Sequence, residues 1–97
     1  MKAITIKGAI VRLDEIKNDL RALQYAVDGY IETVGLKDGA VMIVDEEGLL
    51  KDKPYNTLAS LIAGTCIYGT ALIVGRKGDQ FDDVPEIYLP LLSCGEV

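Results

Sequence analysis

Two short apolar runs decide most of what this chain can fold into. Val41–Val44 reads VMIV, apolar at every position, and so do the four residues that follow Thr70 in TALIV, residues 70 to 74. Successive side chains of a strand point to opposite faces, so a strand with one face in water alternates apolar and polar residues. A strand that does not alternate needs cover on both faces. The runs therefore predict interior strands of a sheet, with a helix on one face and a further layer, or a partner subunit, on the other. This is the clearest sequence-level pointer to a homo-oligomer. The chain has 97 residues, and a chain of this size buries only about 60 to 65% of the surface that its unfolded form exposes, so self-association would add to a thin stability margin.

The remaining elements follow from local signals. AITIKGAIVRLDEI holds two β-rich runs, residues 3 to 6 and 9 to 13, divided by Lys7-Gly8. Asn18 is a candidate cap for a helix that begins at Asp19, with Leu20, Leu23 and Val27 on one face and Gly29 as the stop. YIETVGL, KDG and AVMIVDEE read as a hairpin around Asp38-Gly39, a pair suited to positive φ. A second helix runs from about Thr57 to Ala63, capped by Asn56, stopped by Gly64, and buried along Leu58, Leu61 and Ile62. The segment from Phe81 to Val97 contains Pro85 and Pro90 and reads as a short helix or irregular surface arm, open to a partner. The whole chain, residues 1–97, is thus expected to be one α+β domain, a mixed or antiparallel sheet with two short helices packed on it.

Composition removes several functions. Ten basic and fifteen acidic residues give a net charge of -5, which opposes binding to a nucleic-acid backbone. The acids fall in short clusters separated by lysines, which argues against a continuous negative face that mimics DNA. The chain contains no histidine, the usual general base and commonest zinc ligand. Cys66 and Cys94 are isolated, with no metal-ligand spacing, and nothing at the N-terminus has the three regions of a signal peptide, so a cytoplasmic protein with reduced thiols is expected. The apolar stretch LASLIAGTCIYGTALIVG is interrupted by glycines, threonines and a tyrosine, and reads as helix, turn and strand rather than a membrane span.

Few residues offer chemistry. Glu32 lies between Tyr30 and Val34 on one face of a strand, either as a cleft acid or, more simply, as a solvated edge residue. Asp45, Glu46 and Glu47 follow an interior strand, where loops often build sites, but consecutive residues point alternately, so at most two could converge on a hard cation. Asn56 is already accounted for as a cap. Tyr30, Tyr55 and Tyr68 could stack on a ring or simply pack. Arg76 and Lys77, in GRKG, could approach a phosphate, yet the spacing is that of neither a P-loop nor a dinucleotide fingerprint, and a hairpin turn is the simpler reading.

Taken together, LQYAVDGYIETVGL, VDEEG, PYN, ASLIAG and IYGTALIVG resemble a small domain of unknown function found in phages, prophages and plasmids, catalogued as thirty-eight forty-six. The matching positions are Leu23, Val27, Gly29, Tyr30, Ile31, Glu32, Glu46, Glu47, Gly48, Pro54, Asn56, Ala59 and Gly69, spread from about residue 20 to 75; Asp28 departs from the pattern, where a second glycine is expected. The resemblance implies a mobile-element protein and supplies no activity. It moves Glu32, Glu46, Glu47 and Asn56 toward a ligand-site reading, because a family pattern holds these polar residues at the ends of apolar strands. By analogy with small phage anti-defence sponges, the expected role is non-catalytic sequestration of a nucleotide-derived immune signal, with no cofactor or metal. Tyr30 and Tyr55 would stack, Glu32, Glu46 and Glu47 would accept from hydroxyls or amines, Asn56 would add a polar contact, and Arg76 and Lys77 would neutralise phosphate. A protein-binding inhibitor of a host enzyme, and a divalent-metal-dependent hydrolase built on the acidic turn, are the alternatives.

Overall fold

The two apolar runs pair with each other. In the computed structural model, which describes residues 1–94, β1 (Lys2–Lys7), β2 (Ile10–Glu15), β3 (Ile31–Gly35), β4 (Ala40–Asp45) and β5 (Ala71–Lys77) form a sheet in the order β2-β1-β5-β4-β3, and β6 (Gln80–Asp82) pairs with β5. Every pairing is antiparallel. Helices α1 (Leu20–Val27) and α2 (Thr57–Ala63) and a closing 3₁₀ helix (Glu86–Cys94) complete the α+β domain.

Alternation divides the core in two. Ile4, Ile6, Met42, Val44, Ala71 and Ile73 face α2 and the 3₁₀ helix, while Ala3, Val41, Ile43, Leu72 and Val74 face α1 with its Leu23 and Val27. The lack of alternation in β4 and β5 is thus explained within one chain, and it carries no information about a partner subunit. Each fully buried Ile or Leu here stabilises the fold by roughly 1.5 to 3 kcal/mol.

Several local expectations shift by a residue or two. Asp19, not Asn18, caps α1: its carboxylate accepts from the Ala22 N–H at 2.8 Å, while Asn18 donates to the Phe81 carbonyl. Asp28, not Gly29, takes the left-handed cap at φ 57, which an aspartate tolerates better than most L-residues. Gly29 is needed for room, since a Cβ there would run into the Asp45 carboxylate. Leu20 occupies the first position of α1 and is exposed. On α2 the buried residues are Ala59 and Ser60, and Leu61 is 75% exposed because it lies about 200° around the helix from Ala59. The Asp38-Gly39 turn forms as expected, with φ 61 and 73. Arg76 and Lys77 belong to β5, and the turn comes one step later, at Gly78-Asp79. The segment read as a short helix or irregular surface arm contains the 3₁₀ helix and is part of the fold: Val84 is in the core, and Tyr88, Leu89, Leu91 and Leu92 pack on the α2 side. Residues 95–97 of that expected arm lie outside the described residues.

Candidate functional site

The acidic turn after β4 is occupied by its own lysines. Asp45 is paired with Ile31 across β3–β4 and has no exposed side-chain surface. Its carboxylate accepts from Lys53 at 2.6 Å, from Lys51 at 3.0 Å and from the Glu47 N–H at 2.9 Å. Lys53 also donates to the carbonyls of Val27 and Asp28, and Lys51 to that of Asp28. The lysines thus join the β4–α2 loop to the negative end of α1. Burial alone would push the Asp45 carboxyl up, but the hydrogen bonds from Lys53, Glu47 and Lys51 outweigh it and lower it to about 2. The hydrogen bond to Asp45 in turn raises Lys51 above its ordinary value.

The residues singled out in the sequence do not converge. Tyr30 and Glu32 are exposed at the β3 edge, and Glu32 pairs with Val44, placing it on the α2 side of the sheet. Glu46 is exposed, its N–H bonded to the Tyr30 carbonyl, and Glu47 is half-buried in the turn. Asn56 is buried and hydrogen-bonded throughout: its Nδ2 donates to the carbonyls of Ile6 and Gly69, and its Oδ1 accepts from the Ala59 N–H. Arg76 and Lys77 are exposed at the far end of β5, about 20 Å from Thr70 at the strand's start at the usual rise per residue. Among the described residues no three of His, Cys, Asp and Glu cluster closely enough to hold a metal ion.

A different part of the molecule is hollow. α1 has eight residues, about 12 Å of helix, which is too little to cover one whole face of the sheet. The face of β1 and β2 beyond its last turn stays open. There Ile10, Arg12 and Asp14 of β2 lie on the same face as Thr5 and Lys7 of β1, flanked by Thr70. The result is two adjoining hollows that share Lys7, Arg12, Asp28 and Thr70. One, of about 660 Å³, is the more charged and reaches Thr5, Asp14, Glu15, Ile16 and Tyr25. The other, of about 580 Å³, is walled by Ile10, Pro54 and Tyr55, with Lys53 and Asn56 at its side. Of the residues expected from sequence, Tyr55 and Asn56 line this groove, and the amide of Asn56 is engaged with the scaffold.

The groove has chemistry to offer. Lys7 forms no ion pair among the described residues, and Arg12 pairs only with Asp14 at 3.3 Å while more than half exposed. Tyr55 stands edge-on to Tyr68 with ring centres 5.5 Å apart, which fixes its ring at the groove wall. Lys7 and Arg12 thus stand beside the carboxylates of Asp14, Glu15 and Asp28, and Ile10, Pro54 and Tyr55 form an apolar wall next to them. Thr5, Lys7, Arg12 and Thr70 escaped the sequence reading. The available signal was the β2 run IVRLDE, where Arg12 and Asp14 on one strand face mark a face that no helix covers.

No curated protein and no solved structure matches this chain. The family described as Domain of unknown function (DUF3846) matches residues 1–91, nearly the whole length. The chain belongs to that family.

Proposed function

We propose that this protein binds a small phosphate-bearing, ring-containing molecule of the nucleotide class in the groove beside α1, and holds it without chemical conversion. One observation carries the reading: the unpaired Lys7 and the exposed Arg12 stand beside the Ile10–Pro54–Tyr55 wall in an open hollow of about 580 Å³, a size that suits a small organic ligand. Arg12 offers a planar donor fork to phosphate oxygens, Lys7 a mobile point charge, and Tyr55 a face for a base. With no histidine in the chain, the groove lacks the commonest general base, which favours holding over turnover. As a phage or mobile-element protein of the host cytoplasm, it would withdraw a nucleotide-derived immune signal from its receptor.

Titration calorimetry with AMP, 3′,5′-cyclic AMP, ADP-ribose and adenosine tests this. The phosphorylated probes are expected to bind, adenosine at least ten-fold more weakly, and Arg12→Ala to lose the difference while Arg76→Ala keeps it. Absence of binding by every phosphorylated probe would overturn the proposal. A second reading, inhibition of a host protein, is favoured by Leu49 and Leu50, which are 63% and 80% exposed in the loop after β4. It requires that a captured host protein be lost on Leu50→Ser, with the groove variants unaffected.

A further inference from the structure

Resting on that reading, we infer that Thr5 is a specificity-determining residue, whose hydroxyl bonds an anionic oxygen of the ligand at the more charged end of the groove. Thr5 is only 6% exposed, and its Oγ1 is, among the described residues, the buried side-chain polar atom that lacks a hydrogen-bond partner. Thr5 lines the more charged hollow together with Lys7, Arg12 and Thr70. A buried hydroxyl without a partner is destabilising, and a protein that keeps one gains when a ligand satisfies it. The surrounding chemistry identifies the group that does so. Thr5 stands directly across the ladder from Arg12 and two residues along β1 from Lys7, so two hydroxyls and two cations line one hollow, whose rim also carries the carboxylates of Asp14, Glu15 and Asp28. The hydroxyls and cations suit the oxygens of a phosphate group.

The ligand's orientation follows. Its phosphate lies inboard, over Thr5 and between Lys7 and Arg12, and its ring points outward along Ile10, Pro54 and Tyr55. The Thr5 hydroxyl is closed to solvent in the free protein, so the neighbouring Arg12 side chain leaves Asp14 as the ligand enters. That contact is exposed, at 3.3 Å, and weak pairs of this kind exchange readily. On binding, the phosphate replaces the Asp14 carboxylate as the partner of Arg12.

Three proteins decide the matter: the wild type, Thr5→Val, which keeps the shape and removes the hydroxyl, and Thr5→Ser, which keeps the hydroxyl. Each is titrated with AMP and with inorganic phosphate, and the thermal midpoint of each free protein is recorded. Thr5→Val is expected to hold or raise the midpoint, because an unpartnered hydroxyl is gone, and to weaken AMP binding about ten-fold, as loss of one hydrogen bond to a charged group does. Thr5→Ser should retain AMP affinity within about three-fold by the same accounting. Equal AMP affinity in the wild type and Thr5→Val overturns the role of Thr5 and leaves the groove standing. A wild type that binds neither of these nor 3′,5′-cyclic AMP nor ADP-ribose overturns the groove reading, and this inference with it. A lowered midpoint in Thr5→Val also counts against it, since it would mean that the hydroxyl already has a partner in the free protein.

Discussion

Asp45 is a carboxylate that serves the fold, and its surroundings define what its loss would do. Asp45→Asn would leave the Lys53 ammonium, 15% exposed, beside a neutral amide. Breaking a buried pair of this kind costs about 3 kcal/mol or more, so denaturant unfolding should show a drop of that order. The pH dependence has a definite sign. With its folded value lowered from 3.8 to about 2, Asp45 contributes roughly 2 kcal/mol that is fully present above pH 4 and is lost as pH falls through 2. Denaturation curves between pH 5 and 2 should lose that increment in the wild type and not in Asp45→Asn. Gly29→Ala belongs to the same cluster: its Cβ would enter the space of the Asp45 carboxylate, and the variant should be destabilised even though alanine suits the backbone there. At this scale the sequence was only partly legible. VDEEGLLKDK shows acids and lysines in one loop, but nothing in it says that Asp45 turns inward to Lys51 and Lys53 while Glu46 turns to water. That choice depends on Gly29 admitting the carboxylate beneath α1, a contact made across the fold.

At the scale of elements, Asn56 joins α2 to the sheet. Its oxygen caps the helix and its amide nitrogen holds the carbonyls of Ile6 in β1 and Gly69 before β5. Asn56→Ala should therefore cost more than the ~1 kcal/mol of a cap alone, because two buried acceptors lose their donor. Asn56→Asp keeps the cap and faces those carbonyls with an acceptor, so it should destabilise at least as much as Asn56→Ala. Thermal unfolding of the two variants side by side separates the cap from the cross-link. Element types were readable where a local device dictates them: the Asp38-Gly39 turn, the Asn56 cap and the unalternating β4 and β5 all appear in the sequence and in the fold. Buried faces of short helices were less readable. A seven-residue α2 has too few positions for a periodic stripe, so Leu61 looked as apolar as Leu58 and only the packing of Ala59 against the sheet decides between them. The β6 strand did not show in the sequence, while the short helix expected in this segment is the 3₁₀ helix, where Pro85 and Pro90 break regular α-helix and leave Val84, Leu89 and Leu92 free to cover the core.

For the whole molecule, the groove results from coverage. One face of the sheet is roofed by α2 and the 3₁₀ helix, the other only in part by α1, and the uncovered part carries Lys7 and Arg12 beside Asp14, Glu15 and Asp28. Binding of an anion there should weaken as salt is raised, and calorimetry at increasing ionic strength measures it. The site could not be found from sequence because its residues come from β1, β2, the end of α1 and the segments before α2 and β5, which only the strand order brings together. The central claim is the location of the ligand, and amide chemical shifts of the isotope-labelled protein titrated with AMP test it most directly. The account predicts shifts concentrated at Thr5, Lys7, Arg12, Tyr55 and Thr70, with Glu32, Arg76 and Lys77 unmoved. Shifts centred on Arg76 and Lys77 or on the β3 edge, or none at all with AMP, 3′,5′-cyclic AMP or ADP-ribose at millimolar concentration, would contradict it.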